Sequence, residues 1–117
     1  MDDSICKIDR QGDITILALI LDNITMYQNE ELQKAFAALL DKGKKKIVLD
    51  LSNIDFISSI VIASLVFMVK RAREAGGNLV LCGVRDKVKK VLAITNLDKV
   101  FDIFEDRQKA ISYFTGK

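Results

Sequence analysis

The fold this 117-residue sequence predicts is an α/β domain with a mixed, mainly parallel sheet of four to five strands and four helices. Three observations predict it. Two apolar segments near the start flank a tight-turn signal. Two later runs, 46–51 and 78–82, are apolar without alternation, as strands covered on both faces are. Segments with helical apolar spacing separate the strands, and that succession implies parallel neighbours joined by right-handed crossovers.

Each element has its own local reason. Ile5, Ile8 and then Ile14 to Ile20 flank Gln11, Gly12 and Asp13, which reads as two antiparallel strands around a turn. Over residues 29–42, Leu32, Ala35, Phe36, Leu39 and Leu40 fall on one helical face, and Gly43 follows as a left-handed cap. Ile47, Val48, Leu49 and Leu51 make the central strand. A short connection, 52–56, leads to Ser58 or Ser59, either of which can cap a helix running to about Glu74 and stopped by Gly76 and Gly77. Ile62, Leu65, Val66 and Val69 are its inward side chains. Residues 78–82 form a further buried strand, and 84–94 a helix with Val84, Val88, Val91 and Leu92 inward. Residues 100–104 form a short edge strand, after which Asp106 caps a last helix with Ala110, Ile111 and Phe114 on one side.

The length suits one domain, residues 1–117, which should bury about 65% of its unfolded surface. No linker composition and no internal repeat interrupt it. The absence of His excludes every mechanism built on imidazole and most zinc sites. A net charge of +2 is too mild for a domain that lives by neutralising phosphates, so nucleic acid is not expected as a ligand. Cys6 and Cys82 stand alone in apolar surroundings and read as small buried hydrophobes of a reducing compartment. No signal peptide is visible before Asp9, and the longest apolar block, 60–69, is too short to span a bilayer, so the expectation is a cytoplasmic protein without membrane insertion.

Catalytic constellations are not found. Asp50 near the end of its strand invites comparison with the phosphoacceptor of a receiver domain. That chemistry needs Mg²⁺ held by further carboxylates, and only Asp22 follows the second strand while Asp2 and Asp3 precede the sheet. No glycine-rich phosphate loop occurs, and Ser4 with Lys7 matches SxxK only by chance in a strand. Lys42, Lys44, Lys45 and Lys46, like Lys87, Lys89 and Lys90, read as solvated faces. No enzyme, metal or cofactor is expected.

The informative segment is the connection into the second helix. A serine hydroxyl there accepts a backbone N–H as a cap. Phosphate on it would suit the helix end, yet its charge of about −2 would repel any apolar partner docked beside Phe56, Ile57, Ile60 and Val61.

Here the sequence resembles the STAS-domain anti-sigma factor antagonists of bacterial partner-switching systems. The resemblance lies in Lys46 to Leu51, Ile54, Phe56, the serines, Gly76, Gly77 and Asn78 to Cys82. It continues in Val91, Leu92 and Ile94 to Phe101. It implies a mixed sheet backed by helices, no catalysis, and binding to an anti-sigma factor that is itself a serine kinase. The kinase would phosphorylate the antagonist, and a serine phosphatase would restore it. The family motif reads Asp, Ser, Ser or Thr, Gly. Laid ungapped from Phe56, it places Ser58 on the Asp, Ser59 on the first Ser, Ile60 on the acceptor and Val61 on the Gly. Matching the serines directly makes Ser59 the acceptor, with Ile57 and Ile60 where Asp and Gly belong. The candidate phosphorylation sites are therefore Ser59 and Ser58. The expected contact surface lies between Ser52 and Ser64 and comprises Asp55, Ile57, Ser58, Ser59, Ile60, Val61 and Ser64. The alternative is a STAS scaffold or ligand-binding domain of a sensory complex that has lost the phosphoswitch.

Overall fold

A computed structural model of the chain describes residues 5–21 and 24–116. Five strands form one sheet in sequential order: β1 (Cys6–Gln11), β2 (Ile14–Leu19), β3 (Lys46–Asp50), β4 (Asn78–Cys82) and β5 (Ile103–Phe104). β1 pairs antiparallel with β2 through the turn at Gly12 and Asp13, and all other neighbours are parallel. Four helices complete the domain: α1 (Met26–Asp41), α2 (Ser59–Glu74), α3 (Asp86–Ile94) and α4 (Arg107–Thr115). This is the mixed, mainly parallel α/β architecture the sequence predicts. Asp2, Asp3, Ser4 and Asp22 lie outside the described residues.

The unalternating strands owe their composition to two covered faces. Leu17, Ile47, Leu49, Leu79 and Leu81 point to the face roofed by α1, α2 and α3. Ile14, Ile16, Val48, Val80 and Cys82 point to the other, where α4 sets down Ala110 and Ile111. Burial on this second face pushes the Cys82 thiol up to about 12, so it packs as a hydrophobe and does not present a thiolate.

Three boundaries differ from the spacing-based reading. α1 begins at Met26 instead of residue 29, because Thr25 and Gln28 form a capping box. The Gln28 N–H donates to Thr25 Oγ1 at 3.3 Å, and the Thr25 N–H donates to Gln28 Oε1 at 3.0 Å. α3 begins at Asp86, not at residue 84, because Arg85 is extended as its N-cap; Val84 still enters the core, from the loop. The edge strand shrinks to two residues. Asn96 turns left-handed at φ 60°, and a 3₁₀ turn at Leu97–Lys99 coils the chain until Phe101 is buried.

Asp50 is a structural carboxylate. Its side chain, 13% exposed, accepts the Ser52 N–H at 3.0 Å and an Arg107 Nη2 at 2.9 Å, tying the start of α4 to the end of β3. Burial pushes its pKa up, but the Ser52 N–H and the Arg107 guanidinium outweigh burial and hold it below 3.8. A folded-state pKa lowered in this way contributes stability that is present above 3.8 and is lost as pH falls through the folded value. Asp50→Asn is thus expected to be less stable than the unaltered chain near neutral pH, with the gap narrowing as pH drops below 3.8. Urea midpoints of both proteins across the acid range check this; a gap independent of pH would contradict it.

Candidate functional site

The parallel strands β2, β3 and β4 end on one edge of the sheet, where α1, α2 and α3 begin. Large apolar side chains are exposed along this edge. Ile20, Met26 and Tyr27 follow β2, and Phe56 and Ile60 follow β3. At the opposite edge stand charged residues, among them Lys42 and Lys45 and the Lys46 to Asp13 ion pair at 2.8 Å.

The connection from β3 to α2 is built on alternating anchors. The Leu51 N–H donates to the Cys82 carbonyl at 3.0 Å, extending the β3 to β4 ladder by one step, and the Ile54 N–H closes a turn onto the Leu51 carbonyl at 2.9 Å. Leu51, Ile54 and Ile57 are buried, which turns Asp55 and Phe56 outward; Phe56 is 59% exposed. Ser58 is the N-cap of α2, extended at φ −88° and ψ 164°, and its Oγ accepts the Val61 N–H at 3.4 Å. Ser59 opens the helix and is exposed, and Ile60 beside it is 49% exposed.

The expected contact residues therefore separate. Asp55, Ser59 and Ile60 lie on the surface, and Ser58 is half-buried. Ile57, Val61 and Ser64 do not present an apolar patch. Ile57 plugs the core beneath the loop, and the 3.6-residue period carries Val61 and Ser64 to the face that packs on the sheet and α1. Ser64 Oγ accepts from Gln33 Nε2 of α1 at 2.5 Å. Ile62, Leu65 and Val69 are buried and Val66 is partly so, in line with their expected inward packing.

Two exposed residues of this connection and its helix, Phe56 and Phe67, lie outside the expected contact set. Phe56 precedes the helix, and the only trace of its exposure is that it sits between two buried isoleucines. Phe67 continues the outer line of α2 two turns beyond Ile60, with the Arg71 guanidinium 5.7 Å above its ring. Beside it a groove of about 310 Å³ runs between α1 and α2, lined by Phe36, Leu40, Phe67 and Met68. Among the described residues no three His, Cys, Asp or Glu side chains gather to hold a metal ion. No helix among them is long and apolar enough to cross a membrane.

The neighbouring loop, between β4 and α3, is part of the same structure. Arg85 Nε donates to the Ser52 carbonyl at 2.8 Å, and its Nη1 meets Asp55 Oδ1 at 3.2 Å. Gly83, left-handed at φ +66°, brings its Cα so close that an added Cβ would lie 3.0 Å from Ser52 Cβ and 3.1 Å from Asp50 Oδ1.

Known proteins are similar to this chain in sequence and fold. The family model for the STAS domain matches residues 6–110. The "Putative anti-sigma factor antagonist BtrV" of Bordetella bronchiseptica is 30% identical over 99 residues, covering 85% of each chain. The crystal structure of an anti-sigma factor antagonist from Thermotoga maritima, also designated "putative", superposes with a TM-score of 0.82 at 27% identity, covering 92% of each chain. The phosphorylated form of SpoIIAA, a Bacillus cell fate determinant, shares the fold at a TM-score of 0.73 and 12% identity, with 93% of this chain and 98% of that one covered. The chain belongs to the STAS domain family, whose model runs from β1 into α4, and the relatives that match it carry the name of anti-sigma factor antagonists.

Proposed function

We propose that this chain is a cytoplasmic anti-sigma factor antagonist, a binding module that docks an anti-sigma factor serine kinase and thereby releases a sigma factor. The observation that carries this reading is the exposed apolar pair Phe56 and Ile60 flanking Ser59 at the start of α2. Exposed Phe and Ile side chains clustered on one edge mark a contact surface. The names of the relatives point the same way.

Control by serine phosphorylation is part of this proposal, and the same geometry supports it. Phosphate on Ser59 or Ser58 would sit at the positive end of α2, where it is compatible with the helix, while its charge would expel an apolar partner from Phe56 and Ile60. A serine phosphatase would reset the surface. The direct test is capture of the GHKL-type kinases encoded in the same genome. Binding to one of them supports the reading, and binding to none defeats it.

A second reading has its own observation. In the ungapped register Ile60 occupies the acceptor position, on the surface and without a hydroxyl. A domain of this kind would hold its partner without a phosphoswitch, as a scaffold or ligand-binding unit in a sensory complex. Incubation with ATP and the captured kinase, followed by mass spectrometry, separates the two. Phosphate on Ser59 or Ser58 removes the second reading; retained binding without phosphate removes the switch.

A further inference from the structure

The exposed stretch of the β3 to α2 connection has few anchors of its own. Between Leu51 and Ile57, only Ile54 is buried, while Ser52, Asn53, Asp55 and Phe56 face solvent. Loops held so lightly open locally at low cost. Inside it the Ser52 N–H donates to Asp50 Oδ1 at 3.0 Å and the Ile54 N–H to the Leu51 carbonyl at 2.9 Å, and a further restraint comes from the next loop along the edge. Arg85 spans the gap with two donors, to the Ser52 carbonyl at 2.8 Å and to Asp55 Oδ1 at 3.2 Å, so one side chain grips the loop at both its backbone and its carboxylate. Gly83 suits that reach, since its φ of +66° is one that other L residues rarely adopt and a Cβ there would make Ser52 and Asp50 give by a few tenths of an ångström. A planar guanidinium grips two acceptors at fixed spacing, which a lysine ammonium does not.

We infer that Arg85 is a positioning residue of the docking edge: it holds the loop around Asp55 and Phe56 in the one conformation that presents Phe56 on the edge that also carries Ile60. This inference rests on the docking function proposed above. Without the grip the loop samples other conformations, and the apparent affinity falls with the fraction that remains competent. The loss belongs in the association rate, because a partner must then wait for or select the competent loop.

Amide hydrogen exchange on the free chain and stopped-flow binding to the captured kinase test this with Arg85→Ala and Arg85→Lys. In both variants the hydrogen-bonded amides of Ser52 and Ile54 are expected to exchange about fivefold faster, with the urea midpoint unchanged, as suits an exposed ion pair. Association is expected to slow about fivefold while dissociation stays constant. Unchanged exchange in both variants would overturn the inference. So would a loss confined to dissociation, which would make Arg85 a direct contact. If the unaltered chain binds no kinase, the docking function fails on its own account. The exchange data then still decide whether Arg85 holds the loop.

Discussion

Ile60→Asp is expected to weaken binding to the anti-sigma partner by about 100-fold or more while leaving the stability of the domain intact. Ile60 is the second residue of α2 and half of its surface is open, so little packing is lost on substitution. An aspartate in the first turn interacts favourably with the helix dipole, which offsets part of that loss. In the complex the balance reverses, because an unpaired carboxylate against an apolar partner costs about 2 to 5 kcal/mol of binding. Ile60→Ala, which only removes contact area, should cost about tenfold. Titration calorimetry with the captured kinase, alongside urea denaturation of both variants, checks the pair of outcomes. Undiminished binding by Ile60→Asp would place the docking surface elsewhere.

The second large effect concerns folding. Gly77→Ala is expected to destabilise the domain by about 3 kcal/mol or more, whereas Gly76→Ala next to it should cost about 1 kcal/mol. A Cβ on Gly77 would lie 2.0 Å from the Lys45 carbonyl oxygen and 2.7 Å from its carbon, both backbone atoms. That carbonyl accepts the Asn78 N–H at 2.9 Å and opens the β3 to β4 ladder, so relief of the clash must shift the centre of the sheet. Gly76 is left-handed at φ +89°, but the nearest atom to its added Cβ is the mobile Lys45 Nζ at 3.4 Å. Urea midpoints at constant slope measure both changes. Equal costs would mean that the close approach at Gly77 is relieved without moving the sheet.

Both glycines were legible as a helix stop, yet only the fold distinguishes them. Gly76 serves α2 through a local backbone angle, which sequence punctuation reports. Gly77 serves a contact with Lys45, more than thirty residues earlier, which no local pattern records. The same division runs through the candidate site. The cap at Ser58, the run of α2 to Glu74 and the exposure of Ser59 and Ile60 follow from helical spacing and cap chemistry within a few residues. The burial of Ile57, Val61 and Ser64 does not. An apolar residue near a helix start can face a partner or the core, and the choice depended on α1 and the sheet lying beneath it.

The sequence by itself determined the α/β alternation, the antiparallel opening pair and the two doubly covered strands. Those features are written in the 3.6-residue helical period, in unbroken apolar runs and in turn residues, all of which act over a short stretch of chain. Only the tertiary structure decided that Phe56 stands out, that Asp50 answers Arg107 of α4, and that Arg85 of the next loop grips Ser52 and Asp55. The reason is physical. Parallel strands bring together loops separated by thirty residues of helix and strand, and the contacts made there depend on where each loop is delivered, which no single segment encodes.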